Sequence, residues 1–180
     1  APAFLGYPNG SFPEYPYPAT INASINAELV HGIPSKRRLK EGDIISLDVG
    51  TVFKGFVGDS AITLPVGQVS AEAQQLIDAT REALRLAIEV CRAGKRLGDI
   101  SATIQEWAES RGYNVVREYT GHGVGREMHE DPSIPNWGKR DRVPVLRPGM
   151  TLALEPMLVM GTWELYVKDD YWTVATADGK

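Results

Sequence analysis

The residues best suited to chemistry lie in the segment from Thr120 to Pro132. It contains His122 and His129, two of the chain's three histidines, and it has glycines at positions 121, 123 and 125. Glycine allows a close approach of the backbone where a Cβ would not fit. Histidine is the commonest metal ligand among side chains and titrates near physiological pH. We therefore predict that this segment lies against a metal, a ligand or a neighbouring strand.

Three acidic residues interrupt apolar, strand-like runs: Asp48, Asp59 and Glu155. Aspartate is depleted in strands, and a carboxylate buried among apolar side chains needs a partner or a metal. Asp48 and Asp59 fall in the two arms of a predicted hairpin with a two-residue turn at Lys54-Gly55, and the parity of that turn places both on one face. Neighbouring carboxylates repel unless a cation lies between them; the alternative is that both face water.

Together with His122, these acids form a set of hard oxygen ligands with one imidazole. Such a set suits Mn, Fe, Co or Zn, and acids from several strands suggest two metals bridged by carboxylates. Bound cations polarise a carbonyl and lower the pKa of a bound water from about 15.7 toward roughly 7. His31 and His129 would lie outside the ligand set, free to hydrogen-bond a substrate, although His31 by itself also fits a structural role.

Strands and two helices must position these residues. The hydrophobic pattern predicts a hairpin over residues 43–64, a second hairpin over 164–175, and further strands over 21–31, 115–119 and 150–157. Helices are predicted from Ala71 to Ala93, capped by Ser70, and from a cap at Asp99 to about Arg111. Residues 132–148 are predicted to form a loop. The core-facing stripes of the helices are predicted to be Leu76, Ile77, Leu84, Ile88 and Cys91 in the first, and Ile100, Ile104, Trp107 and Ala108 in the second.

The first twenty residues combine five prolines with five aromatic residues. That many prolines exclude a regular helix or an inner strand. Two interpretations remain open at this stage: a surface arm, or a loop whose aromatic rings wall an apolar pocket.

Composition limits the classes of function. The chain has 180 residues and a net charge of −4, which gives no electrostatic case for nucleic acid, and no apolar run reaches the roughly 20 residues of a membrane span. The one cysteine, Cys91, cannot form an internal disulfide, which is compatible with a reducing cytoplasm. No signal peptide is visible, and because the chain begins at Ala1 without Met, we expect the true start to be missing.

Several separated motifs resemble one family. They are residues 4–7 (FLGY), 24–26 (SIN), 31–34 (HGIP), 42–44 with Asp48, 58–59 (GD), 119–126 (YTGHGVGR), 128–132 (MHEDP), 148–150 (PGM), 155–156 (EP) and 172–173 (WT). On these residues the chain resembles a type I methionine aminopeptidase, a metallopeptidase of the pita-bread fold. The resemblance covers nearly the whole chain.

The resemblance implies a fold and a site. The fold would be α+β, a curved, mostly antiparallel sheet with helices packed on its outer face, and residues 1–180 would be a single catalytic domain, incomplete at both ends. The family's fifth ligand, a glutamate, would lie beyond Lys180, and residues 8–16 would be an insertion. The implied metal ligands are Asp48, Asp59, His122 and Glu155, with Glu155 also a general base; the implied catalytic histidines are His31 and His129; and the implied methionine pocket is Tyr7, Tyr17, Met128 and Trp172.

The implied reaction is removal of the initiator methionine from nascent chains whose second residue is small, with two divalent metal ions (Co, Mn, Fe or Zn). The resemblance implies a monomeric cytoplasmic enzyme that acts on nascent polypeptide N-termini and binds neither nucleic acid nor membrane. The ribosome is a further candidate partner. Two alternatives stay open: an X-Pro dipeptidase or aminopeptidase P-like enzyme, and a catalytically impaired pita-bread module that binds peptides or ribosomes.

Overall fold

The computed structural model of the chain describes all residues from 1 to 180. It contains two helices and eleven short or medium strands, and every strand pairing is antiparallel. The predicted α+β class with mostly antiparallel pairing is therefore confirmed. In chain order the elements are β1 Asn22–Ile25, β2 Glu28–Val30, β3 Ile44–Phe53, β4 Phe56–Pro65, α1 Ala71–Val90, α2 Leu97–Glu109, β5 Asn114–Val115, β6 Thr120–Gly123, β7 Glu130–Pro135, β8 Leu152–Ala153, β9 Leu158–Val159, β10 Leu165–Val167 and β11 Val174–Thr176.

The chain divides into two compact units, each built from several stretches of sequence. The first unit comprises Ala1–Gln74, Arg126–Met128 and Glu164–Lys180, and the second comprises Gln75–Gly125 and His129–Trp163. The first unit holds two three-stranded sheets, with strand orders β1-β3-β4 and β10-β11-β2. The second holds a two-stranded sheet, β5-β9, and a three-stranded sheet of order β7-β6-β8.

Both predicted hairpins form in the first unit. In the β3–β4 hairpin Phe53 pairs with Phe56 across a two-residue turn, and Lys54 and Gly55 have φ of 51° and 80°. Positive φ at both central positions is typical of a tight hairpin turn, because its backbone twist matches that of the strands. The β10–β11 pair forms the second hairpin, with Tyr166 opposite Ala175.

The predicted single strand over residues 21–31 is wrong. The segment forms two strands, β1 and β2, because Asn26 turns the chain with φ of 57° and hydrogen-bonds through its amide to Asp43 at 2.9 Å. Asn22 and Ser24, which alternate with the apolar residues of β1, are each only 3% exposed.

The helices agree with the sequence except at their ends and at one core residue. The Ser70 hydroxyl caps α1 by accepting the Ala73 backbone N–H at 3.1 Å, but the helix ends at Val90, three residues earlier than predicted. The predicted cap of α2 at Asp99 is wrong by three residues: the N-cap is Arg96 and the helix begins at Leu97. Asp99 lies in the first turn and accepts the Arg96 N–H at 3.0 Å.

The hydrophobic core of the second unit joins both helices to the β5, β7 and β9 strands. The predicted face of α2 is confirmed, since Ile100, Ile104 and Ala108 are at most 1% exposed. The face of α1 is partly wrong, because Ile88 is 50% exposed and small alanines take its place; the buried members of this core are Ala79, Ala83, Ala87, Leu97, Ile100, Ile104, Ala108, Val115, Ile134, Leu146 and Leu158. Cys91 packs against this core, and burial raises the pKa of its thiol.

Two further strand predictions and one loop prediction need correction. The strand predicted over 115–119 is only Asn114–Val115, and the glycine-histidine segment that follows it is itself a strand, β6. Pro132 and Pro135, predicted to lie in a loop, belong to β7, where an edge position tolerates their missing N–H. The strand predicted over 150–157 is reduced to β8. Neither helix combines the length and the apolar character needed to cross a membrane.

Candidate active site

In the first unit, the β3–β4 hairpin carries Asp48 and Asp59 on one face. Asp48 pairs with Ala61 and Gly50 pairs with Asp59, so the two acids are diagonal neighbours across the hairpin. The same-face prediction is confirmed, and neither acid is fully exposed. Because like charges on neighbouring strands are unfavourable, this face is suited to a cation.

Asp48 is oriented by a buried amide that the sequence did not reveal. Asn22 lies directly opposite Asp48 in the β1–β3 pair, and its Nδ2 donates to Asp48 Oδ2 at 2.7 Å. A hydrogen bond to an ionised acceptor is stronger than one between neutral groups. Asn22 therefore holds the carboxylate in one position.

In the second unit, two glycines allow neighbouring strands to close on His122. His122 pairs with Ala153 of β8, and Gly123 pairs with Glu130 of β7. A Cβ on Gly121 would lie against the Ala153 carbonyl, and one on Gly123 would lie 2.8 Å from the Asp131 carbonyl carbon. The glycines are therefore required by close backbone approach, as the sequence predicted.

His122 faces Glu155 within the second unit. The Nδ1 atom of His122 lies 2.8 Å from the Gly123 carbonyl oxygen, which can only accept, so Nδ1 carries the proton and the neutral ring has its lone pair on Nε2. Nε2 lies 3.0 Å from Glu155 Oε1, a buried oxygen that receives no hydrogen bond. Two lone-pair atoms at this distance require a proton or a metal ion to be stable together. The pair therefore fits a divalent metal, and an imidazole whose other N–H binds a carbonyl is typical of a metal ligand.

His129 lies beside His122 in the second unit. Their ring centroids are 4.3 Å apart with an interplanar angle of 61°. Both rings line a cavity of about 400 Å³, together with Thr120, Glu130, Asp131 and Ser133. The cavity is polar and holds two imidazoles, which are suited to binding and to proton transfer.

An apolar cluster in the first unit gathers the aromatic residues of the N-terminal segment. Phe4, Tyr17 and Met128 are its buried members, and those packed against it are Ala3, Tyr7, Ala19, Ile33, Val57 and Trp172. The Tyr17 hydroxyl donates to the Ile21 and Gly32 carbonyls at 3.1 and 3.0 Å. Burial raises the pKa of Tyr17, so its hydroxyl stays neutral. The pocket interpretation of residues 1–20 is thus favoured over a surface arm.

His31 and Trp172 extend this cluster. The Trp172 indole lies edge-on to Tyr17, with centroids 5.0 Å apart, and edge-on to His31 at 6.1 Å. His31 has φ of 58°, a conformation that side chains with a Cβ adopt rarely. Such backbone strain is common at functional sites, where the surrounding structure holds it.

Comparison with known proteins places these features in a family. The model of metallopeptidase family M24 matches residues 5–175. The chain belongs to family M24, with the methionine aminopeptidases. A methionine aminopeptidase of Clostridium acetobutylicum is 51% identical over 179 residues, which are 99% of this chain and 69% of that relative.

Solved structures agree with the family M24 assignment. A methionine aminopeptidase from Thermotoga maritima superposes with a TM-score of 0.93 at 50% identity, over 99% of this chain and 69% of that structure. An Xaa-Pro dipeptidase from Bacillus anthracis superposes less well, with a TM-score of 0.68 at 29% identity, over 78% of this chain and 40% of that structure. This M24 chain is thus far more similar to the methionine aminopeptidases than to the X-Pro enzyme.

Within the M24 chain, the site residues named from the sequence fall into three groups. Asp48 and Asp59 share a hairpin face in the first unit; His122, His129 and Glu155 lie together in the second; and the four predicted pocket residues share the apolar cluster. Sequence reasoning missed Asn22. The pairing of β1 with β3 would have revealed it.

Proposed function

We propose that this chain removes N-terminal methionine from polypeptides, favouring those with a small second residue, by metal-dependent hydrolysis. Membership of a metallopeptidase family and about 50% identity to methionine aminopeptidases support this function. The observation that carries the proposal is the His122–Glu155 pair, in which an imidazole nitrogen and a buried carboxylate oxygen face each other at 3.0 Å. A histidine placed in this way is a ligand rather than a structural residue.

We assign Asp48, Asp59, His122 and Glu155 as ligands of two divalent metal ions, of the kind Co, Mn, Fe or Zn. Three carboxylates and one imidazole are the donor set that such borderline-hard ions prefer. When bound, these ions act as a Lewis acid toward the scissile carbonyl and make water more acidic. Asn22 supports the set by holding the Asp48 carboxylate.

The remaining polar residues handle protons and hydrogen bonds. Glu155 is the general base, because its carboxylate can take a proton from the attacking water and return it to the leaving amine. His129, beside His122, donates a hydrogen bond to the oxygen that becomes negative in the transition state. His31 contacts the substrate from the edge of the apolar cluster.

The apolar cluster binds the methionine side chain. The methionine thioether is unbranched and polarisable, and it favours contacts with aromatic rings and sulfur. The cluster supplies these contacts through Tyr7, Tyr17, Met128 and Trp172. The Tyr17 hydroxyl is occupied by two backbone carbonyls, so only its ring faces the cluster. The pocket therefore selects by shape and polarisability rather than by hydrogen bonding.

The proposed substrate indicates the compartment and the partners of the chain. We propose that the chain acts in the cytoplasm on nascent polypeptide N-termini, close to the ribosome, as a monomer without affinity for nucleic acid or membrane. Residues 1–180 act as a single catalytic domain.

Calorimetric titration with Mn(II) or Co(II), combined with hydrolysis of Met-Ala-Ser in the same buffer, tests the proposal. We expect binding with turnover for the unchanged chain, and metal affinity at least about 100-fold weaker for Glu155→Gln. The matched control is Glu164→Gln, which makes the same change at an exposed residue. Binding that is unaffected by Glu155→Gln would refute the ligand assignment, and preference for X-Pro peptides would refute the substrate.

Glu155→Gln also tests, without any metal, whether His122 Nε2 and Glu155 Oε1 face each other with no proton between them. In chelator, an amide at position 155 can donate to His122 Nε2, whereas the carboxylate cannot. We therefore expect metal-free Glu155→Gln to have a thermal midpoint equal to or above that of the unchanged chain. A clearly lower midpoint would mean that the 3.0 Å pair is already stabilised by a proton.

A further inference from the structure

Residues 8–16 form a proline-rich segment fastened by one buried side chain. Asn9 is 8% exposed. Its Oδ1 accepts the backbone N–H groups of Ser11 and Phe12 at 3.0 and 2.9 Å, and its Nδ2 donates to the Tyr171 carbonyl at 2.9 Å. One amide thus closes the segment on itself and ties it to the turn that precedes Trp172.

A second connection runs from the same segment to Trp172 itself. The indole Nε1–H of Trp172 donates to the Tyr15 carbonyl at 2.8 Å. The Tyr15 ring stacks on Tyr171, with centroids 4.2 Å apart and an interplanar angle of 18°, and Phe12 lies 5.0 Å from the same ring. The segment therefore contacts both the backbone and the side chains of the turn.

The turn is fixed from its other end by Asp170. The Asp170 carboxylate accepts the backbone N–H groups of Trp172 and Thr173 at 3.0 and 2.7 Å, and the Thr173 hydroxyl at 2.6 Å. Tyr171 lies between these anchors with φ of 64°, in the left-handed region that a tyrosine rarely adopts. Contacts on both sides of Tyr171 offset this strain, and together they fix the direction of the Trp172 indole.

We propose that residues 8–16 are a positioning element for the methionine pocket, with Asn9 as the positioning residue that fixes Trp172 as a rigid wall. This inference rests on the proposed function, because it gives the indole its role beside Tyr17 at 5.0 Å and His31 at 6.1 Å. A wall held in place before binding lowers the entropic cost of enclosing a flexible thioether. The segment thereby sets the affinity for the first substrate residue without touching the reacting atoms.

Three variants separate this role from a general effect on folding. Asn9→Asp keeps the oxygen that accepts Ser11 and Phe12 but replaces the donor to Tyr171 by a second oxygen. Asn9→Ala removes both functions. Glu14→Gln is the control, because Glu14 is an exposed residue of the same segment.

Two measurements apply to each variant, together with its thermal midpoint. The first is the KM and kcat for Met-Ala-Ser; for Asn9→Asp we expect KM to rise about three- to ten-fold, the equivalent of one lost hydrogen bond, with kcat within two-fold. The second is ¹⁹F NMR of chain labelled with 5-fluorotryptophan, in which the Trp172 signal is identified by its loss in Trp172→Phe. We expect that signal to shift or broaden in Asn9→Asp and to stay unchanged in Glu14→Gln.

Unchanged KM and an unchanged Trp172 signal in Asn9→Asp would overturn the proposal, as would a fall in kcat that follows the thermal midpoint. Should the unchanged chain fail to hydrolyse Met-Ala-Ser, the proposed function fails separately, and titration of the Trp172 signal with L-methionine then decides the positioning role. Saturable shifts that weaken in Asn9→Asp support it; an absence of any shift in the unchanged chain refutes it.

Discussion

Replacement of Asn22 by alanine tests whether a buried amide prepares Asp48 for metal binding. Asn22 is 3% exposed, and its Nδ2 donates to Asp48 Oδ2 at 2.7 Å. A hydrogen bond to a charged group contributes about 1.5–3 kcal/mol, which corresponds to a factor of about 10–150 in an equilibrium constant. Loss of a side chain that orients a metal ligand typically weakens metal binding by about 10–100-fold. The two ranges overlap, so we expect Asn22→Ala to weaken Mn(II) binding by about 10–100-fold.

The assay is calorimetric titration with Mn(II), accompanied by urea unfolding of the metal-free chain. Ser24→Ala is the matched control, because Ser24 lies on the same strand, is equally buried, and loses a comparable bond from the Gly32 N–H at 3.1 Å. We expect Ser24→Ala to lower the free energy of unfolding by about 1 kcal/mol and to leave Mn(II) affinity unchanged. The reasoning is refuted if Asn22→Ala binds Mn(II) as tightly as the unchanged chain, or if Ser24→Ala weakens binding equally.

Three further predictions concern the elements that carry the site. Gly123→Ala should lower the free energy of unfolding by about 1–3 kcal/mol, because its Cβ would lie 2.8 Å from the Asp131 carbonyl carbon; urea unfolding measures this, with Gly10→Ala, which meets nothing within 4 Å, as control. Tyr17→Phe should lower it by about 1–3 kcal/mol in the same assay, since two backbone carbonyls lose their donor. Two backbone N–H groups hold the pKa of Asp99 below its usual 3.8. The stability that this carboxylate contributes is therefore complete above about pH 5 and is lost as the pH falls below 3.8. The free energy of unfolding should differ less between pH 3 and pH 6 in Asp99→Asn than in the unchanged chain.

These predictions fail in distinct ways. Equal stability of Gly123→Ala and Gly10→Ala would show that β7 moves away freely, and the glycine would then not be required by close approach. A Tyr17→Phe chain of unchanged stability would mean that water replaces the hydroxyl. For Asp99, a larger acid-induced loss of stability in Asp99→Asn than in the unchanged chain would contradict a lowered native pKa.

The parts of the fold that could be predicted are those whose pattern is long enough to be unambiguous. The β3–β4 hairpin has ten residues in each strand and a turn that sets its register, so the shared face of Asp48 and Asp59 followed from parity. The strands of two to four residues could not be predicted in the same way. Their existence depends on backbone partners far away in sequence, as for β2, which pairs with β11.

The candidate site was visible from the sequence because its residues are out of place. An aspartate or glutamate inside an apolar run contradicts the local pattern, and glycines around a histidine contradict the usual composition of a strand. Asn22 gave no such signal, because an asparagine alternating with apolar residues is typical of a solvent face. Its burial becomes apparent only when β1 is paired with β3. Sequence reasoning therefore found the charges of the site and missed the neutral group that supports one of them.

Removal of metal should lower stability, because folding brings together the groups that we assign as ligands. In the second unit these include His122 Nε2 and Glu155 Oε1 at 3.0 Å, and in the first they are two acids on one hairpin face. A ligand that binds only the folded state stabilises it by RT ln(1 + [L]/Kd), about 4 kcal/mol at a thousand times Kd. We therefore expect Mn(II) to raise the thermal midpoint of the unchanged chain in proportion to the logarithm of its concentration, and chelator to reverse this. In Glu155→Gln the increase should be much smaller and should start from an equal or higher metal-free midpoint; an equal response of both chains would contradict the inference that this contact is where the cation binds.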